Sequence, residues 1–452
     1  MKTKRKKIWL LLALVVCLTL TACSNGGSKN AGADSGGTGA AEQGGKEEQK
    51  VVTVWSWNPA NEDEARPYLE AFSQAHPDIK LSFKGVTFND YLNALKIAMV
   101  SGEGPDIFQI QPGAMMAEYA EFTEDLTPFS QKAWGDDWRD RFYEAGLKLL
   151  GTEDRLNAIP SAFAGAGYIW YNKTIFDQYD LKPPANFEEW INVSDKLKEH
   201  GVTPFIHGAK DAWVNIDMYI VLANEMAPGL VYEAEAGRVS WTDPSLVQAM
   251  DYWKQLFDKG IMQKGALGAV QYPDSKDKWV KGEAAMILLG TWNNPHMSKT
   301  FMEGVKPGLG LETDYEYLPM PFPDFNGDGQ SGRLVVSTDG WAMNNGKNNK
   351  EAAWKVLEWF ASPEMQKIYT DQLLLPSIKG VEMQDSDLTF DSQKAALKME
   401  TEDLDVSAGK RELDYPEIKT ALADALQGVA TGELTPEKAM EHVQKASGSV
   451  KR

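Results

Sequence analysis

The sequence predicts an α/β fold of two hinged lobes, and three observations predict it. Residues 51–110 alternate strand and helix signals in the order β-α-β-α-β, which implies a parallel sheet with right-handed crossovers. At 452 residues the chain is longer than one hydrophobic core usually serves, so two domains are expected. Three stretches then read as passages between them. They are the Gly- and Ala-rich run 161–173, whose small residues let the chain bend, the rigid Pro319-Met-Pro-Phe-Pro323, and Leu375-Pro-Ser377.

Val51-Val-Thr-Val-Trp-Ser-Trp57 is β-branched and nearly all apolar, so it reads as a first strand buried on both faces. Asn61 caps a helix to about His76, with Ala65, Leu69 and Phe72 on one face. Ile79–Phe83 is the second strand. Asn89 is expected to cap a helix to about Ser101, striped by Leu92, Leu95 and Met99 and closed by Gly102. Ile107–Ile110 is the third strand. Ligands of open α/β sheets sit off the carboxyl ends of the strands, which here carry Trp57-Asn58 and Gln109–Gln111.

Residues 113–150 read as helical to Gly151, and 187–200 as a helix capped by Asn186. Thr203–His207 is a strand, and Asp211-Ala-Trp213 opens a long helix to about Met226. Helices near 245–259 and 275–281 lead to a buried strand, Ala284–Leu289, ended by Gly290. Arg333–Val336 and Thr338–Met343 read as strand and loop returning to the first lobe, where a helix from Lys350 to Ala361 packs. The remainder is amphipathic helix to about Lys445, with Gly432 and Thr435 as stop and cap. Trp253, Trp354 and Trp359 sit at helical spacing among apolar residues and belong to the core.

Lys2, Lys4, Arg5, Lys6 and Lys7 precede a 13-residue apolar run, Ile8–Leu20, too short to span a membrane. With the small residues that follow it describes an export signal. Leu20-Thr-Ala-Cys23 resembles a bacterial lipobox, which implies that Cys23 is lipidated and becomes the N-terminus; plain secretion with an incidental cysteine is the alternative. Residues 24–50, without an aromatic, form a tether of roughly 25–30 Å average reach. The expected organisation is a signal peptide at 1–22, the tether at 23–50, a first lobe of 51–160 and 324–376, and a second of 161–323 and 377–452. Cys17 leaves with the signal, so no disulfide forms in the remaining chain and the fold stands on its core.

The formal charge is −19, and −24 once residues 1–22 take away five basic residues and no acidic one. Such a surface argues against nucleic acid and anionic lipid. The five His show no zinc spacing, and neither a phosphate loop nor a Gly-x-Ser-x-Gly elbow occurs. No cofactor is expected. Paired carboxylates are abundant, so counting leaves glycosidase chemistry open, although no Asp or Glu stands out. Asp324-Phe-Asn326-Gly-Asp328-Gly329 matches the first half of a calcium loop, but Val335 stands at the twelfth position, where an acid is needed; a polar surface turn is the other reading.

Trp292, Asn293 and Asn294 follow a strand end directly. A flat apolar ring beside amides suits a sugar, the ring taking its C–H face and the amides its hydroxyls. A core indole followed by two turn-forming asparagines explains the same residues. Trp57, Trp213 and Trp341 likewise fall at strand ends or in adjoining loops.

Read together, Val-Thr-Val-Trp-Ser-Trp at 52–57, Ser-Gly-Glu-Gly-Pro-Asp-Ile at 101–107, Ile-Pro at 159–160, Trp-Tyr-Asn-Lys at 170–173, Gly-Glu-Ala-Ala-Met-x-x-x-Gly-Thr-Trp at 282–292, Asp-Gly-Trp-Ala-Met at 339–343 and Asn-Asn-Lys-Glu-Ala-Ala-Trp at 348–354 resemble a family. It is the sugar-binding lipoproteins of bacterial ABC importers, the large two-lobed class that includes maltodextrin-binding protein. The resemblance implies a periplasmic-binding-protein-like fold of type II, two α/β lobes hinged by two or three crossovers. It implies a monomer anchored by lipid on the extracytoplasmic face of the cell membrane. A mono- or oligosaccharide would be held in the interlobe cleft and passed to membrane permease subunits. By its pattern Trp292 looks like the stacking aromatic of the second lobe, with Asp211 and Trp213 on the same side. Trp57, Asn58, Gln111, Asp339 and Trp341 would face them from the first. Pro59 and Ala60 stand where maltodextrin-binding protein carries an acid and a lysine, which points away from maltodextrin. A lipid-anchored glycoside hydrolase or a surface adhesin is the competing class.

Overall fold

Strands β1 (Lys50–Ser56), β2 (Ile79–Gly85) and β3 (Ile107–Ile110) run parallel, as their alternation with helices requires. They belong to a computed structural model that describes residues 49–329, 335–388, 390–404 and 409–452. Cys23 and the tether to Glu48 lie outside the described residues, and Glu48–Arg452 cluster as one unit. No helix among the described residues is long and apolar enough to cross a membrane.

Two sheets organise the unit. The first adds β4 (Ile159–Ala166), β9 (Val335–Met343), β10 (Leu375–Pro376) and β11 (Gly409–Lys410), in the order β10-β4-β9-β3-β1-β2 with β11 beside the start of β9. The second is β6-β7-β5-β8, made from β5 (Tyr168–Asn172), β6 (Thr203–Ile206), β7 (Ala284–Leu289) and β8 (Tyr317–Met320). Helices pack on both, giving the two-lobed α/β architecture.

Local chemistry explains most boundaries. Asn61 Oδ1 accepts from the Glu64 N–H at 2.9 Å, and the Glu64 carboxylate accepts from the Ala60 N–H at 2.8 Å. This capping box fixes the start of the Glu62–Ala75 helix, which buries Ala65, Tyr68 and Phe72. Asn186 and Thr435 cap the Phe187–Glu199 and Pro436–Ser447 helices as expected.

Four expectations need correction. Strand β1 alternates rather than burying both faces: Val52, Val54 and Ser56 are buried, while Trp55 is half-covered by the Lys84 ammonium, 3.8 Å from its ring. The second helix starts at Phe88 after Thr87, so Asn89 lies in its first turn and its side chain goes elsewhere. Residues 113–150 break into helices Ala114–Tyr119, Thr127–Trp134 and Glu144–Leu150, the second stopped by Gly135 at φ +87°. Pro319 is not in a linker. It sits in β8, an edge strand, where a residue without an N–H is tolerated.

The passages between sheets shift accordingly. β4 stays in the first sheet through Ala166 and β5 begins the second at Tyr168, so Gly167 alone makes the first crossing. The second comes after Phe325, which still packs in the core of the second lobe, and before Val335. Leu375 and Pro376 remain paired with β4, and the chain reaches the second core by Leu388.

That second core is the larger and holds Trp170, Trp190, Trp241, Trp253 and Trp279, all fully buried. Trp354 and Trp359 are buried in the first, as their spacing predicts. Two imidazoles are buried as well. Burial pulls His207 down to about 4, partly offset by its hydrogen bond with Asn215, and burial with Lys276 pulls His296 down to about 3. Unfolding releases both to an ordinary imidazole near 6.5, so the unfolded chain binds more protons below that pH. Stability is therefore complete above about pH 6.5 and falls as pH drops toward the folded values. His207 alone is expected to contribute a loss of about 2 kcal/mol by pH 5. Denaturant titrations at pH 7 and 5 measure it, and His207→Gln should flatten the dependence.

Candidate functional site

The helix Ala212–Met226 sets one wall of the cleft. Trp213, Ile216 and Asp217 fall at i, i+3 and i+4, hence on one face, and all three line a recess of about 270 Å³. Gln111, from just beyond β3, faces them across it, with Arg411, Glu412 and Lys419. The recess therefore lies off the carboxyl end of β3, where the sheet order places a ligand.

Three aromatics form the wall of the second lobe. Trp213 stacks on Tyr272 at 5.6 Å and 8° between planes. Trp292 donates its Nε1–H to the Tyr272 hydroxyl at 2.8 Å. Gly290 makes room for that ring, since a Cβ there would stand 2.1 Å from Trp292 Cζ3. The guanidinium of Arg411 lies over both indoles, 4.8 Å from the Trp292 ring and 5.5 Å from that of Trp213.

Arg411 also forms a two-pronged pair with Asp217, Nε to Oδ1 at 2.8 Å and Nη2 to Oδ2 at 2.9 Å. Both side chains are largely buried, at 11% and 7% exposure. Burial opposes the charge of Arg411, but Asp217, Glu412 and Asp339 outweigh it and hold the group protonated. The backbone beneath is tied to both lobes. Arg411 N–H donates to Val336 O at 2.9 Å, Leu413 O accepts from Ala114 N–H at 2.7 Å, and Lys410 O accepts from the Tyr232 hydroxyl at 2.8 Å.

Asp339, in β9, is pushed up to about 7 by burial and by the neighbouring Glu412, against the pull of Arg411 and of a hydrogen bond from Gln111. Burial pulls Lys419 down, opposed by Glu412.

The structure brings together Gln111, Trp213, Trp292 and Asp339 from the sequence expectation. Trp57 is half-buried, its ring edge-on to Phe88 and Tyr91 at 5.3 and 5.0 Å, so it shores up the lip of the first lobe. Asn58 is exposed, with its N–H turned back to Ser56 Oγ at 3.0 Å. Asp211 is spent: Oδ1 accepts from Asn89 Nδ2 and Oδ2 from the Gln271 N–H, each at 2.8 Å. Asn293 is 2% exposed within a 3-10 turn and its Nδ2 has no partner among the described residues. Trp341 does not reach the cleft. It is 2% exposed in the first core, with its ring 4.7 Å from Phe360.

Asp324, Asn326 and Asp328 form a closed polar turn. Asp324 Oδ1 and Oδ2 accept from the Gly327 and Gly329 N–H groups at 2.6 and 2.9 Å, and Asn326 Oδ1 from the Asp328 N–H at 2.8 Å. The Asp324 carboxylate caps backbone, and among the described residues no group of three His, Cys, Asp or Glu converges as a metal site.

Asn89–Asp211 joins the first lobe to the second. Asn89→Ala is expected to cost the closed arrangement about 1.5 kcal/mol, the range for a bond to a charged acceptor. A larger radius of gyration by small-angle scattering measures it.

Sequence reasoning missed Asp217 and Arg411. An acid inside the apolar run Val214–Leu222 was a signal for the first, since a buried charge needs a partner. Arg411 gave none, for Lys410-Arg-Glu-Leu-Asp-Tyr415 reads as solvated surface.

The profile of the family described as "Bacterial extracellular solute-binding protein" matches residues 58–367. An uncharacterised ABC-transporter extracellular-binding protein of Pyrococcus horikoshii is 30% identical over 60% of this chain, and the match spans 61% of that protein, under two thirds of its length. The galactooligosaccharide-binding protein of Bacillus subtilis is 21% identical over 100% of this chain and 99% of its own. Among solved structures, a chitin-oligosaccharide-binding protein superposes with a TM-score of 0.72 at 23% identity, covering 88% of this chain and 98% of that one.

Proposed function

Because the chain belongs to the bacterial extracellular solute-binding protein family, we propose that it captures a sugar or short oligosaccharide in its interlobe cleft and delivers it to the membrane permease of an ABC importer. The family members and structural neighbours are binding proteins, and this chain is not an enzyme. One observation carries the reading: the indoles of Trp213 and Trp292 lie together under Arg411, beside a recess that Trp213 lines with Asp217 and Gln111. Indole faces suit the apolar C–H face of a pyranose, and carboxylate and amide oxygens suit its hydroxyls. The relatives named for galacto- and chitin-oligosaccharides support the same ligand class.

Mechanism follows from two states. A ligand touching both walls prefers the closed state, and shifts the balance only by its difference in affinity between the two. Gln111 and Asp339 come from the first lobe, Trp213, Asp217 and Trp292 from the second. A sugar spanning them therefore couples its own binding to closure. Cys23 after its export signal would anchor the chain by lipid on the outer face of the membrane, and the tether would let the lobes reach the permease.

A thermal-shift panel of xylo-, chito-, malto- and galacto-oligosaccharides tests the function. A sugar present at a hundred times its dissociation constant is expected to stabilise the fold by about 2.7 kcal/mol. The same sugar should be recovered uncleaved. If no member raises the melting temperature, the reading fails.

A further inference from the structure

The recess is lined in part by a side chain of the protein itself, Arg411, which stands among Gln111, Trp213 and Asp217. Arg411 lies over the Trp213 and Trp292 rings and takes both oxygens of Asp217. A guanidinium is planar, stacks on aromatic faces and presents N–H donors in a fixed fork. It thus makes the two kinds of contact that a pyranose would make here, a flat face on indole and donors on a carboxylate.

We propose that Arg411 is the cleft's internal occupant, a surrogate for the sugar that must be displaced from the two indoles and Asp217 before ligand can bind. This rests on the sugar-binding reading above and goes beyond it by naming the residue that sets the affinity threshold. The backbone of the segment stays pinned at Val336, Ala114 and Tyr232, so displacement is a rotation of the side chain alone. Glu412, beside it at 3.4 Å from Nη1, offers the guanidinium a second carboxylate to turn toward. Empty, the cleft keeps its aromatic faces covered and its buried acid paired. Loaded, the sugar takes over both. Weak binders that cannot match the guanidinium are thereby excluded.

The experiment uses the full chain and its Arg411→Ala variant, with Arg411→Gln, which keeps Asp217 and an amide donor beside it, carrying the same measurements should the lone carboxylate prevent folding. Methylguanidinium is titrated first, read by tryptophan fluorescence. The variant is expected to bind it saturably at millimolar concentration, and the parent not at all. The oligosaccharide with the largest thermal shift on the parent is then titrated. The variant should bind it at least tenfold more tightly, and methylguanidinium should compete. Equal or weaker sugar binding by the variant overturns the proposal, as does methylguanidinium binding without competition. Sugars that bind the variant only also support it. If no sugar binds either protein, the sugar reading fails by itself. Saturable methylguanidinium binding then upholds internal occupancy, and its absence overturns it.

Discussion

Trp292→Ala is expected to weaken sugar binding by about 2–4 kcal/mol, the range of a hot-spot aromatic truncation, while leaving the melting temperature of the empty protein nearly unchanged. The ring is only half-buried, and its Nε1–H bond goes to a neighbouring tyrosine rather than to the core. Its removal opens the aromatic surface beneath Arg411 instead of a cavity within the lobe. Calorimetric titration with the sugar found by the panel, beside a denaturant curve of the free protein, reads both quantities. Unchanged affinity would take Trp292 out of the site.

Trp253→Ala should do the reverse. That ring is fully buried, edge-on to Phe257 at 5.0 Å, and its Nε1–H donates to Leu426 O at 2.9 Å across two helices. Truncation removes the buried surface, leaves a cavity and breaks that hydrogen bond, and is expected to cost about 3–5 kcal/mol of folding stability. Sugar affinity of the folded fraction should hold. Urea unfolding of the variant, at constant m-value, measures the loss. The pair separates two uses of tryptophan that composition cannot tell apart.

Sequence legibility followed the range of the interactions involved. Asn61 with Glu64, and Asn186 with Glu189, are local devices, so they could be seen in a few adjacent letters. The run Ala284–Leu289 is apolar because β7 is buried on both faces, and its bounds match. The order β1-β2-β3 followed from alternation. What failed was long-range. Asn89 looks like a cap, but its amide answers a carboxylate 122 residues away. Asp211, read as a ligand residue, is consumed by that bond. Pro319 reads as a linker until its pairing with Trp170 shows it in an edge strand, where no N–H is needed. Arg411 sits in a charged run whose meaning depends on Asp217, 194 residues earlier, and on two indoles that only folding brings beneath it. Trp213 and Trp292 were legible as candidates. Trp341 was equally legible by composition, and only its packing against Phe360 in the first core takes it out of the cleft.

Gly167, the lone residue between β4 and β5, stands at φ +100°, and a methyl group on it would come within 2.5 Å of Val221 Cγ2. Both the torsion and the close contact forbid substitution at this crossing between the sheets. Val221 belongs to the same helix as Trp213 and Asp217. A swing of the backbone at that crossing would therefore be felt directly by the rod that bears Trp213 and Asp217, and opening the lobes would re-aim those side chains in the same motion.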